Sequence, residues 1–362
     1  MTFGVITREL AKRGHEVTVY RPRRDDLVAI ESPQAYREVA MAGMRIPGYP
    51  LLRLGLPARM KLSRLWKESP PDLVHVVTEG PLGATAVSAA RSLGLPVTSS
   101  FHTNFHSYTN NYGFAPLHQI VLGWLRRVHN RTQRTFAPTN ELCDELRELG
   151  FRNLSLLSRG IDTEHFSPER RDHELRKSWG VGPDDPVVLH VGRMAPEKNY
   201  DLLFKIYDAM RIANPKLRFV LAGDGPLRDS LIRDHPEYIF AGFYSREEIG
   251  RYFASADIYI HASLTETFGN VLTEAMASGL AVAGFNYAAA KQFIRHRENG
   301  LTAPCQDPAG LIDISVGLAR DQTLRTKLAI AARDGLKDQS WDRVIGKFEA
   351  DLLTVAQSGS QT

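Results

Sequence analysis

Five short apolar runs, at residues 186–191, 217–222, 238–241, 256–261 and 280–284, alternate with stretches of helical spacing at 200–214, 247–254 and 271–278. Runs of this length suit buried strands better than helices. Strands joined through helices pair in parallel, because a tight hairpin cannot return the chain in the same direction. A parallel sheet needs layers on both faces, so this half is restricted to a doubly wound α/β domain. Ligands of such a sheet bind at the carboxyl ends of its strands, and the loops there are the first places to look for chemistry.

The first half shows the same alternation more weakly. Strands are expected at 15–20, 72–77, 96–101, 135–139 and 153–157, and helices at 7–13, after the turn 80–83, and at 117–132. Gly14 is placed to close the first helix. A chain of 362 residues is long enough for two separate cores. The expected division is 1–165, 166–340, and a last helix and tail over 341–362. The polar, proline-containing stretch 160–176 reads as the linker.

Composition excludes several classes. No run of about 18 apolar residues suggests a membrane span, and no charged start with an apolar core suggests a secretory signal. Cys143 and Cys305 are the only cysteines, too few for a disulfide framework and suited to a reducing compartment. A net charge of +4 permits an anionic partner. No zinc spacing or aromatic-basic motif points to nucleic acid.

The densest chemistry lies at 262–279. Glu266 is expected on the loop after a strand, with a helix starting near Phe268, Gly269, Asn270 and Val271. Glu274 then falls about two turns along. A helix N-terminus offers unpaired N–H groups and partial positive charge to a phosphate. Carboxylates on either side can bind the hydroxyls of a sugar and of a ribose. A second loop, Gly192, Arg193 and onward to Lys198, directly follows the run 186–191. Its two cations can neutralise a departing diphosphate. Gly223, Asp224, Gly225 and Pro226 make a tight turn after the next strand. In the first half His102 and Thr103 follow the run 96–101, with His106 as a rival.

Taken together, the Glu266-x7-Glu274 segment with Phe268, Gly269 and Asn270, and the Gly192–Arg193…Lys198 loop, resemble the donor-site motifs of retaining GT-B glycosyltransferases of family 4. The likeness runs from about Gly4 to the last helix. It implies two Rossmann-like domains facing across a cleft, with the last helix crossing back to the first domain. By the same resemblance, His102 and Thr103 approach the donor sugar and the attacking hydroxyl. The loop at Phe243 faces the base, and Asp162 lines the junction. Gly4 would belong to an acceptor-side glycine loop, and the first strand of relatives, which precedes that loop, is apparently missing. The implied reaction moves a hexose from a nucleotide sugar with retention of configuration, with His102, Arg193, Lys198 and Glu266 as its working residues. It needs no cofactor and no metal. GDP-mannose is the favoured donor and UDP-glucose or another UDP-hexose the alternative. A lipid or glycan acceptor is implied by likeness to glycolipid synthases. Two readings of another kind share the fold: an epimerase or phosphorylase, and an inactive binding module.

Two basic amphipathic stretches, 57–67 and 114–134, fit peripheral contact with an anionic membrane from the cytoplasmic side. Taken singly, each fits packing of its apolar face on the first domain's own sheet; the two together, with the basic charge, favour the membrane contact.

Overall fold

The computed structural model describes residues 2–23, 35–46, 49–101, 115–242, 244–264 and 268–359. The chain divides into two compact units, one of Met1–Arg159 with Asp342–Thr362, the other of Gly160–Trp341.

In the first unit β1 (Thr18–Pro22) pairs in parallel with β2 (Arg37–Met41) as a two-stranded ladder. Strands β3 (Gly43–Ile46) and β4 (Tyr49–Gly55) form an antiparallel hairpin that sequence reading does not anticipate. Glycines and prolines interrupt its apolar alternation, which removes the usual strand signal. A four-stranded parallel sheet follows in sequence order: β5 (Val74–Val76), β6 (Val97–Ser100), β7 (Arg134–Ala137) and β8 (Leu154–Leu156).

The first helix spans Thr2–Lys12 and not 7–13. Gly4 therefore sits within a helix rather than on a glycine loop. Phe3, Ile6 and Leu10 share one stripe at helical spacing, with Ile6 buried, and Thr7 Oγ1 donates back to the Phe3 carbonyl at 2.6 Å. A glycine inside a helix costs only about 1 kcal/mol, which such a stripe outweighs.

The stretch 342–359 packs in this first unit. Phe348 meets Phe136 edge-on at 4.8 Å and His75 at 5.3 Å. Arg13 pairs with Glu349 at 2.8 Å, and Arg134 pairs with Asp351. The two basic stretches are helices, Ala115–His129 and Arg59–Glu68. Leu122, Leu125 and Val128 of one, and Leu62 and Trp66 of the other, are buried, while Ile120, Trp124 and Met60 stay exposed.

The second unit holds six parallel strands in the order β11-β10-β9-β12-β13-β14. These are β9 (Val187–Val191), β10 (Arg218–Ala222), β11 (Ile239–Gly242), β12 (Ile258–His261), β13 (Ala281–Phe285) and β14 (Leu301–Ala303). All five expected runs are strands; β14 is a sixth, too short to stand out. Side chains of β9 alternate between two cores. Val187, Leu189 and Val191 face one, and Val188 faces the other.

The stretch 160–176 is not a free linker but part of this unit. Ile161 and Phe166 are buried, and Ile161 bridges to Ser340. Arg176, only 2% exposed, donates to the carbonyls of Ser255 at 2.7 Å, Asp185 at 2.6 Å and Gly182 at 3.1 Å, and to Asp257 at 3.1 Å. A buried charge is tolerated only when paired and hydrogen-bonded. The polar composition that suggests solvent is here an internal brace.

Candidate active site

Two loops at the carboxyl edge of the second sheet, those after β9 and β10, are stitched together by their backbones. Gly192 follows β9, and its N–H donates to the Ala222 carbonyl at 3.1 Å. Met194 N donates to Asp224 O at 2.9 Å, and Leu227 N to Met194 O at 3.0 Å. The approach demands glycines. A Cβ on Gly223 would stand 1.9 Å from the Gly192 oxygen, and one on Gly225 would stand 2.4 Å from the Met194 oxygen. The tight turn read from sequence thus exists to let two backbones touch.

The same loop carries both expected cations. Arg193 is exposed and Lys198 half-buried. Lys198 ends a 3-10 turn, Pro196–Lys198, and Asn199 follows in the left-handed region at φ 57°. Asn199 Nδ2 donates to the Ala262 carbonyl at 3.3 Å, and Ser263 Oγ to the Glu197 carbonyl at 3.2 Å. These bonds tie the loop after β9 to the loop after β12, so the cation loop and the glutamate segment share one neighbourhood.

The helix after β12 spans Asn270–Ala277. Its N-cap is Gly269, at φ 92°, which supplies no side-chain oxygen, and no acidic residue lies in its first turn. Leu272 N donates to the Gly269 carbonyl at 3.1 Å, and no side chain caps the turn, so the N-terminal end suits an incoming anion. Phe268 is 2% exposed; it anchors the turn through its carbonyl, which accepts from Ala289 N at 2.8 Å, and its ring meets Phe293 at 5.9 Å. Asn270, Val271 and Glu274 are half-buried. Tyr244 lies near Glu274: burial first, and then that carboxylate, push its phenol well above the usual range.

Glu266, Phe243, His102 and Thr103 lie outside the described residues, as does His106. Gly192, Arg193, Lys198, Phe268, Gly269, Asn270, Val271 and Glu274 are all on the edge described above.

Sequence reading missed three groups under this edge. His190, the fourth residue of β9, is 5% exposed. Burial first, then the charge of Lys198 and the proximity of His261, pull its pKa down to about 3. Tyr200 opens the next helix and meets His190 edge-on at 5.2 Å. His261 ends β12, and its Nδ1 lies 3.3 Å from the Tyr259 hydroxyl. A histidine inside an otherwise apolar strand was the available signal.

Among solved structures, Anabaena HepE in complex with UDP matches with a TM-score of 0.78, covering 98% of this chain and 95% of that one. At 19% identity that likeness concerns the fold alone. The fold is GT-B, and the chain is a nucleotide-sugar glycosyltransferase. More particularly, it belongs to glycosyltransferase family 4. Residues 5–165 match the model of Glycosyltransferase Family 4, and residues 171–335 that of Glycosyl transferases group 1. The chain is 30% identical over 356 residues to the GDP-mannose-dependent alpha-mannosyltransferase of Corynebacterium glutamicum, covering 97% of this chain and 85% of that one. It is 26% identical over 352 residues to the sulfoquinovosyl transferase SQD2 of Arabidopsis thaliana, covering 93% of this chain and 68% of that one.

Proposed function

We propose that this enzyme transfers mannose from GDP-mannose, with retention of configuration, to a hydroxyl of a lipid or glycan acceptor. The observation that carries the donor is the 30% identity, over nearly the whole chain, to a GDP-mannose-dependent alpha-mannosyltransferase. Relatives named as alpha-monoglucosyldiacylglycerol synthases, such as that of Acholeplasma laidlawii at 28% identity, support the lipid acceptor; the second donor in this reading is a UDP-hexose.

In this reading the donor's diphosphate lies between the Arg193 and Lys198 loop and the open N-terminus at Gly269. As the glycosidic bond breaks, charge grows on the leaving diphosphate, and pre-positioned cations stabilise it without reorganisation. The two cations do this without a metal ion. Glu274 takes the ribose hydroxyls and Glu266 the hexose hydroxyls, while Phe243 lies by the base. The acceptor hydroxyl, held near His102 and Thr103, attacks from the face the diphosphate leaves, and a diphosphate oxygen takes its proton. Exposed Ile120, Trp124 and Met60, beside Arg126, Arg127, Lys61 and Lys67, support peripheral seating on an anionic membrane at its cytoplasmic face.

Proton NMR of the first-formed product decides the stereochemistry, and a thermal-shift panel of nucleotide sugars decides the donor. An inverted anomeric coupling refutes retention. Stabilisation by UDP-hexoses and none by GDP-mannose refutes the donor choice.

A further inference from the structure

Directly under the loop of Gly192 and Lys198 lies a buried imidazole whose hydrogen bonds are unmade. Neither Nδ1 nor Nε2 of His190 has a partner among the described residues, and the hydroxyl of Tyr200, packed against it, has none either. Both side chains are more than nine-tenths buried. The point where a Cβ of residue 192 would stand is 3.7 Å from His190 Nε2 and 3.6 Å from Lys198 Cε. Gly192 thus leaves the space between imidazole and lysine unfilled by any side chain. Proteins keep few unsatisfied buried polar groups, and each one kept calls for a reason such as strain, a catalytic role or a bound water or ion.

We propose that His190 is a positioning residue for the donor's diphosphate, taking a proton from solvent as the diphosphate binds above Gly192 and Lys198 and returning it on release. The inference rests on the diphosphate site proposed above. In the empty enzyme burial first, and then Lys198 from the 3-10 turn and His261 from β12, oppose charge on the ring; Tyr200 beside it is a neutral phenol. Glu197 of the turn bears chiefly on Tyr200. A bound diphosphate offsets Lys198 and puts negative charge near the ring, and an opposite charge favours the protonated form. The imidazolium then donates to the Tyr200 hydroxyl and supports the loop from below. Proton uptake and anion binding are one linked event, so each strengthens the other.

The probe is GDP, with UDP alongside, titrated into the full-length enzyme between pH 5 and 7.5. Calorimetry in buffers of different ionisation enthalpy counts the protons exchanged. The terminal phosphate also titrates, and its contribution is removed by comparing wild type with His190→Gln. Wild type is expected to take up more protons per GDP than His190→Gln. Its affinity advantage over the variant should grow as pH falls, approaching tenfold per unit while pH lies between the free and bound values. Tyr200→Phe should reduce the uptake without abolishing binding. Ring-carbon NMR of the wild type supplies a readout independent of variant folding: the His190 resonance should move toward the protonated position when GDP is added. Equal proton counts with a flat affinity ratio, or a His190 resonance unmoved by bound GDP, overturn the proposal. If neither GDP nor UDP binds the wild type, the donor-site reading itself fails.

Discussion

Replacing Gly223 by alanine tests whether the stitched loops position the chemistry. Gly223 sits at φ +147°, and an added Cβ would lie 1.9 Å from the Gly192 oxygen. Real contacts of this kind stay beyond about 3 Å, so the two loops must part by about an ångström. The backbone conformation costs about 1–3 kcal/mol for a residue with a side chain, and forced crowding about 1–3 kcal/mol more. A total of about 2–6 kcal/mol is smaller than the stability of most domains, about 5–15 kcal/mol, so the variant should fold. Gly192 and Arg193 would move with the loop, and a misplacement of about 1 Å can cost about 100-fold in rate. Chemical denaturation should show the lowered stability, and steady-state transfer the lost turnover. Gly317→Ala is the control: it lies within the helix Pro308–Arg320 with nothing within 4 Å of its added Cβ, and should be neutral or stabilising by about 0.5–1 kcal/mol. A Gly223→Ala enzyme with wild-type midpoint and turnover would refute the reasoning.

Other substitutions separate the roles within the site. Arg193→Ala with Lys198→Ala should erase the preference for a nucleoside diphosphate over the bare nucleoside; calorimetric titration of both ligands checks this, and a surviving preference places the phosphate elsewhere. Glu274→Ala and Glu266→Ala should each cost about 1.5–3 kcal/mol in donor binding or turnover without unfolding, and unchanged donor titrations in both contradict the hydroxyl-binding role. Glu349 is held below its ordinary value of 4.5, first by the hydrogen bond with His15 and then by Arg13, against the effect of burial. Such a carboxylate stabilises the fold above pH 4.5 and loses that contribution as pH falls through its lower folded value. The stability gap between wild type and Glu349→Gln should therefore close in acid; denaturation midpoints from pH 3 to 7 check it, and a pH-independent gap counts against the linkage.

Much of the second unit was legible because its signals are local. Apolar runs of four to six residues mark its buried strands, and the helix expected to start near Phe268 starts at Asn270. The resemblance carried by Glu266-x7-Glu274 and by Gly192, Arg193 and Lys198 rests on contiguous residues for the same reason. Local reading failed where composition and environment disagree. The stretch 160–176 is polar because Arg176 and its neighbours form an internal charged brace, not because it meets solvent. Gly4 is helical because the stripe of Phe3, Ile6 and Leu10 overrides one weak helix former.

The sequence by itself determined the fold class, the strand segments of the second half and the loops that carry the cations and carboxylates. Each follows from periodicity and from neighbours along the chain. Only the tertiary structure decided which loops touch. Glycines 223 and 225 are required by carbonyls some thirty residues earlier, a contact that no local pattern encodes. It also placed His190 and Tyr200 together beneath Gly192, with polar atoms that have no described partner. Desolvation depends on everything that surrounds a group, so their chemistry becomes visible only once the chain is folded around them.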